Sequence, residues 1–179
     1  MDERHDLGQL EHTGDQLQLR FTRKLHHPPE KVWRALTEAE HLAAWFPTEI
    51  AGERATGAAL RFTFRHGEGP TLDGQMLRYE PPSVLEFRWG DDDTLRFELQ
   101  PDGDGSRLRF VNTFNELGKG ARDAAGWHVC LDNLVAHLDG REPSGTPAER
   151  WHAVHSVYVA RFGPEAATIG PPASSSINA

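Results

Sequence analysis

Residues 84–114 read VLEFRWGDDDTLRFELQPDGDGSRLRFVNTF, and this stretch decides the fold. Leu85, Phe87 and Trp89 alternate with Glu86 and Arg88. Leu95, Phe97 and Leu99 alternate with Arg96 and Glu98, and Leu108, Phe110, Asn112 and Phe114 share the next face. A period of two belongs to extended strands, whose successive side chains point to opposite sides. Only Gly90-Asp91-Asp92-Asp93, which reads as a solvated turn, and Pro101-Asp102-Gly103-Asp104-Gly105 separate the runs. Turns this short leave no room for the crossover that parallel strands require, so the three strands form an antiparallel meander. One face is apolar and the other charged, so one face is covered and the other is wet.

Working outward, Leu60, Phe62 and Phe64 alternate with Arg61, Thr63 and Arg65 before a turn over His66 to Pro70, and Gln75–Tyr79 predicts a strand ended by Pro81-Pro82. Near the start, Leu17, Leu19 and Phe21, joined by Arg23, face away from Gln16, Gln18 and Arg20. His27-Pro28-Pro29 stops that strand, because proline cannot donate to a ladder. The prolines suit the first turn of a helix whose apolar side is Val32, Trp33, Ala35 and Leu36. Thr37 and Glu40 have the spacing of a capping box for a second short helix that carries Leu42, Ala43, Trp45 and Phe46 and closes at Pro47.

Downstream, Trp127, Cys130, Leu131, Leu134, Val135 and Leu138 recur at spacings of three and four, one stripe of a helix over 119–139 that Gly140 ends. Such a helix is about 30 Å long, enough to cross the covered face of the sheet. The apolar stripe and the apolar face must bury against each other. The chain thus divides into a flexible tail over 1–13 and an α+β domain over 14–140. That domain is a curved antiparallel sheet of about seven strands wrapped on a long C-terminal helix, with two short helices after its first strand. A linker and an additional amphipathic helix bearing Trp151, Tyr158 and Phe162 occupy 141–162, and a Gly-, Pro- and Ser-rich disordered tail occupies 163–179.

A chain of 179 residues, 37% of them hydrophobic, supports one core rather than two. The net charge of −8 excludes a general nucleic-acid binder, which needs a basic footprint, and disfavours an anionic membrane surface. No apolar run approaches the length of a membrane span, so no membrane insertion is expected. A single cysteine, Cys130, allows no disulfide within the chain, and Met1–Gly14 lacks the apolar core of a signal segment; both predict a cytoplasmic protein. No metal or cofactor is expected. There is no HExxH and no cysteine pair, His152 and His155 lack a third ligand, and Asp102–Ser106 departs from a calcium loop at Arg107 and Thr113. P-loop, dinucleotide and GxSxG signatures are missing too.

The segments PPEKVWRALTEAEHLAAWF (28–46), LDGQMLRYEPPSVLEFRW (72–89), SRLRFVNTF (106–114) and GWHVCLDNLVAHLDG (126–140) together carry a resemblance. They resemble the START-like (SRPBCC) superfamily, in its bacterial branch similar to the C-terminal domain of the activator of Hsp90 ATPase. The resemblance extends over about residues 14–162. It implies a helix-grip (START/Bet v 1-like) fold with an internal cavity. Relatives of this fold transfer lipids, bind hormones or polyketides, cyclise aromatic polyketides or stimulate a chaperone ATPase, so the fold alone implies no single function.

The inward positions form the candidate cavity wall: Trp45, Phe46, Phe62, Phe64, Met76, Trp89, Phe97, Phe110, Asn112, Phe114, Trp127 and Leu131. Each alone is more often plain core. Together, aromatic walls with few polar groups are what small-ligand pockets look like. Asn112 stands out, because a buried amide without partners costs about 1–3 kcal/mol; it must bond backbone, a trapped water or one end of a ligand. His128, with no evident carboxylate at helical spacing, reads as a satisfied histidine rather than an acid or base, and Cys130 as an inert thiol.

The reading that follows is a protein that binds an apolar or aromatic small molecule, lipid- or polyketide-like, without catalysis. The alternatives are a cyclase or hydratase using the same cavity, which needs an inward acid or base, and a chaperone-related or stress-response domain docking a protein through the additional helix. A monomer or homodimer fits each of them.

Overall fold

The computed structural model describes residues 6–67 and 69–170. Residue 68 of the expected turn, and 1–5 and 171–179 of the expected tails, lie outside the described residues. The elements in chain order are β1 (Gln9–Thr13), β2 (Gln16–Leu25), α1 (Pro29–Thr37), α2 (Ala39–Leu42), β3 (Thr48–Ala51), β4 (Ala59–Phe64), β5 (Leu72–Glu80), β6 (Val84–Trp89), β7 (Asp93–Asp102), β8 (Gly105–Phe114), α3 (Gly120–Leu138) and α4 (Pro147–Phe162). The strands form one antiparallel sheet in the order β1-β2-β8-β7-β6-β5-β4-β3. The chain is therefore α+β, a sheet gripping one long helix. The meander β3 to β8 runs neighbour to neighbour, and β2 closes on β8 with Phe21 opposite Phe110.

Alternation sets the register. Leu95, Phe97 and Leu99 of β7 and Leu108, Phe110, Asn112 and Phe114 of β8 are all buried on the inner face, with Phe97 opposite Phe110. Across the sheet the inner face continues through Leu85 and Phe87, then Met76, then Leu60 and Phe62. Gly74 faces inward opposite Trp89, where a Cβ would strike the Phe62 ring and the Arg88 carbonyl, so only glycine fits.

Four expectations need correction. The sheet has eight strands among the described residues, not about seven. The added strand β1 lies in what reads as a tail, and no periodicity marks it because neither of its faces is fully buried. Residues 163–170 do not behave as loose chain: Pro164–Ala167 makes a 3-10 turn, Ala166 is fully buried, and the Ile169 N–H donates to the Gly118 carbonyl at 3.0 Å. Thr37 does not cap α2; its hydroxyl donates back to the Trp33 carbonyl at 2.8 Å and closes α1.

α3 is buried on two sides. Trp127, Leu131, Leu134 and Leu138 belong to the core beneath the sheet, while His128 meets α4. α4 starts at a capping box: the Glu149 N–H donates to Thr146 Oγ1 at 3.2 Å and the Thr146 N–H donates to Glu149 Oε2 at 2.8 Å. Its Tyr158 is fully buried, with Trp151 and Phe162 partly buried against the core.

Candidate functional site

The interior under α3 is aromatic. The Trp127 ring centroid lies 5.9 Å from Phe46, 5.8 Å from Trp89 and 5.1 Å from Phe110. Phe62 lies 4.7 Å from Trp89, Phe97 lies 4.8 Å from Phe110 and 6.0 Å from Trp45, and Phe64 reaches Trp89 at 6.2 Å. These spacings suit edge-to-face and offset contacts, each worth about 0.5–1.5 kcal/mol beyond area burial. Of the twelve residues predicted from the sequence, Trp45, Phe46, Phe62, Phe64, Trp89, Phe97, Phe110 and Trp127 therefore join in one ring cluster. Met76 and Leu131 are buried in the same core, and Asn112 and Phe114 sit toward its end. Phe87, in contact with Phe46, Phe62 and Phe97, also belongs; its alternation with Leu85 and Trp89 already carried that signal.

Between sheet and helix the rings pack against one another. The cluster nears solvent at Phe64 and Trp89, both half-buried. Two surface depressions lie elsewhere. One, of about 180 Å³, is on the outer face along Gln9, Glu11, Arg20 and Arg109; the other, of about 290 Å³, is beside Leu25 and Gly103.

Beside Trp89 the cluster borders a polar group, for Asp93 is the cross-strand partner of Trp89. Lys119 immediately precedes α3, and Asp123, Trp127 and Leu131 follow at four-residue steps, which places them along one side of the helix. Lys119 Nζ donates to Asp93 Oδ1 at 2.8 Å and stands 3.9 Å from Asp123 Oδ2, while Arg122 Nε donates to Asp123 Oδ1 at 2.8 Å. Lys119 Nζ also sits 5.7 Å over the Phe114 ring. Asn112 Nδ2 donates to Asp93 Oδ2 at 3.1 Å. Asp93 is thus no part of a solvated turn. It is 7% exposed, because it opens β7 in the inward phase of Leu95 and Phe97. Burial holds the Asp123 carboxyl above its ordinary range, against the pull of Arg122 and Lys119 and helped by Asp93.

Two buried polar atoms here have no partner among the described residues: Asn112 Oδ1, and Thr48 Oγ1 on β3 opposite Phe64. Behind α3, the Gly8 N–H donates to the Tyr158 hydroxyl at 2.8 Å, and that hydroxyl stands 2.8 Å from His128 Nδ1. His128 Nε2 faces Asp132 Oδ2 at 3.4 Å. That contact favours the tautomer with its proton on Nε2, so Nδ1 accepts from Tyr158. A carboxylate four residues on does orient His128, then, but the pair lies on the α4 side rather than among the rings. Cys130 is half-buried against the core. Among the described residues no group of three His, Cys, Asp or Glu side chains could hold a metal ion, and no helix is long and apolar enough to cross a membrane.

A curved antiparallel sheet closed on one long helix, with an aromatic interior, defines a helix-grip protein of the START-like class. The family model described as "Activator of Hsp90 ATPase homolog 1-like protein" matches residues 26–139, and the chain belongs to that family. Among solved structures, CalU16 from Micromonospora echinospora is similar at 22% identity and a TM-score of 0.70, over 87% of this chain and 94% of that one. A conserved protein of unknown function from Enterococcus faecalis aligns at 21% identity and a TM-score of 0.71, over 87% and 90%. A Bordetella parapertussis protein aligns at 26% identity and a TM-score of 0.69, over 87% and 91%. No curated protein matches the chain at a significant level.

Proposed function

We propose that this chain binds an apolar, aromatic small molecule between its sheet and α3. The observation that carries the reading is the contiguous ring cluster, half-buried at Phe64 and Trp89 and bordered there by Asp93, which bonds the buried amide of Asn112. Phe46 is wedged among Phe87, Trp89 and Trp127. It follows α2, a helix of only four residues that can shift without unravelling a long element. A ligand ring that takes the place of Phe46 exchanges one set of aromatic contacts for another and keeps the apolar surface out of water.

The test is titration with N-phenyl-1-naphthylamine, an uncharged apolar dye, read by dye emission and by quenching of the tryptophans. Saturable binding with transfer from Trp89 and Trp127 is expected. No saturable signal up to the solubility of the dye overturns the reading.

A second reading, an enzyme of cyclase or hydratase type, is favoured by one observation: the Asp123 carboxyl stands 3.9 Å from Lys119, and burial holds its pKa above the ordinary range, as a proton donor requires. Conversion of a bound compound, followed by mass spectrometry, separates that reading from simple binding. The protein-docking reading gains no support from α4, whose Tyr158 is spent inside the fold.

A further inference from the structure

We propose that the molecule taken by the ring cluster is a flat aromatic compound carrying one hydrogen-bond donor, O–H or N–H, which is received by Oδ1 of Asn112; this rests on the binding reading above. Asn112 is fully buried on the inner face of β8 between Phe110 and Phe114, and its cross-strand neighbours are Leu19 and Leu95, both fully buried. Among the described residues, Asp93 is its one charged partner.

That partner fixes which way the carboxamide faces. Asp93 already receives Lys119 on Oδ1, and its Oδ2 receives Asn112 Nδ2 at 3.1 Å. Turning the amide over would set oxygen against carboxylate, so the nitrogen stays with Asp93 and the oxygen is left as the acceptor with no donor among the described residues. A buried acceptor in that state is complemented by a donor and by nothing else.

The surroundings narrow the class further. The walls beside Asn112 are Phe110 and, through it, Trp127 and Phe97, which suit a planar ring. A carboxylate or phosphate group brings no donor to Oδ1, and the cations nearby, Lys119 and Arg122, already pair with Asp93 and Asp123. Asn112 occupies a position where its neighbours in phase are Leu108, Phe110 and Phe114, so an apolar residue would serve packing alone.

The test compares 2-naphthol, 2-naphthylamine, 2-methoxynaphthalene and naphthalene by calorimetry on the full chain. The two donor compounds are expected to bind on the order of tenfold more tightly than the methyl ether, the ratio typical of one well-placed hydrogen bond. In Asn112→Leu that ratio is expected to fall to about one while naphthalene still binds. Equal affinity of donors and ether in the wild type overturns the assignment to Asn112 Oδ1 and leaves the binding reading standing. A donor preference that persists in Asn112→Leu overturns it too. Failure of all four compounds to bind overturns the binding reading, and this inference with it. Should Asn112→Leu not fold, the wild-type comparison alone decides.

Discussion

Thr48 is fully buried at the start of β3, with a hydroxyl that meets no partner among the described residues. An unpaired buried hydroxyl costs about 1–3 kcal/mol, and valine has nearly the same shape without it. Thr48→Val is therefore expected to raise stability by about 1 kcal/mol, read as a higher urea midpoint at unchanged slope. A lower midpoint would reveal a partner for that hydroxyl. Asp123 makes a prediction with a pH signature. Burial outweighs Arg122 and Lys119 there and holds the carboxyl above its ordinary range. The folded state then binds this proton more tightly than the unfolded state does. Its contribution is fully present below the unfolded value of about 4 and is lost as pH rises through the raised folded value. Asp123→Asn mimics the protonated form. It should match the wild type near pH 4 and exceed it at pH 8 in urea unfolding. The opposite order at pH 8 would mean that the ion pairs win over burial.

Among elements, α4 is the one whose role the sequence reading left open, and a single side chain explains how it is held. The Tyr158 hydroxyl joins Gly8, just ahead of β1, to His128 of α3. Tyr158→Phe leaves the Gly8 N–H and His128 Nδ1 without that partner, for a loss of about 1–3 kcal/mol. Amide exchange at Gly8 should quicken in the same variant. Burial also pushes the Tyr158 pKa up to about 12, so its stabilising contribution is present below about pH 10 and fades as pH climbs toward 12. The variant should lack that alkaline loss. Elements with strict periods were legible in the sequence: β6, β7 and β8 alternate, and α3 repeats by threes and fours. β1 and β3 were not, because edge strands of five and four residues bury too little of either face to leave a pattern. Asp93 was misread for a different reason. Three aspartates after a glycine look like a turn, yet the phase of Leu95 and Phe97 already placed position 93 inward. Six rings of the cluster, Phe62, Phe64, Trp89, Phe97, Phe110 and Trp127, could be read from phase; Trp45 and Phe46 were expected on a second helix that in fact ends before them at Leu42. The ionic group could not be read, since Lys119 and Asp123 meet Asp93 only once α3 lies across the sheet.

At the scale of the molecule, the question is whether the ring cluster is a core or a closed site, and the two make opposite predictions for one substitution. Phe46→Ala removes a ring that touches Trp45, Phe87, Trp89 and Trp127. Loss of a buried phenylalanine costs about 3–5 kcal/mol and leaves a cavity that relaxes only in part. If the cluster is a closed site, the wild type binds only in the fraction of molecules with Phe46 displaced, and its apparent affinity is lowered by that fraction. Phe46→Ala abolishes the need for displacement. Naphthalene should then raise the melting temperature of Phe46→Ala well above its effect on the wild type, since ligand at a hundred times its Kd adds about 2.7 kcal/mol. Leu138→Ala, at the far end of α3, supplies the control: it too empties buried space, at 6% exposure, but not among the rings. A naphthalene shift in Phe46→Ala alone ties binding to the path through α2. Shifts of equal size in both variants would mean that any cavity in this core accepts the compound, and a shift in neither would mean that the rings collapse to fill the gap as an ordinary core does.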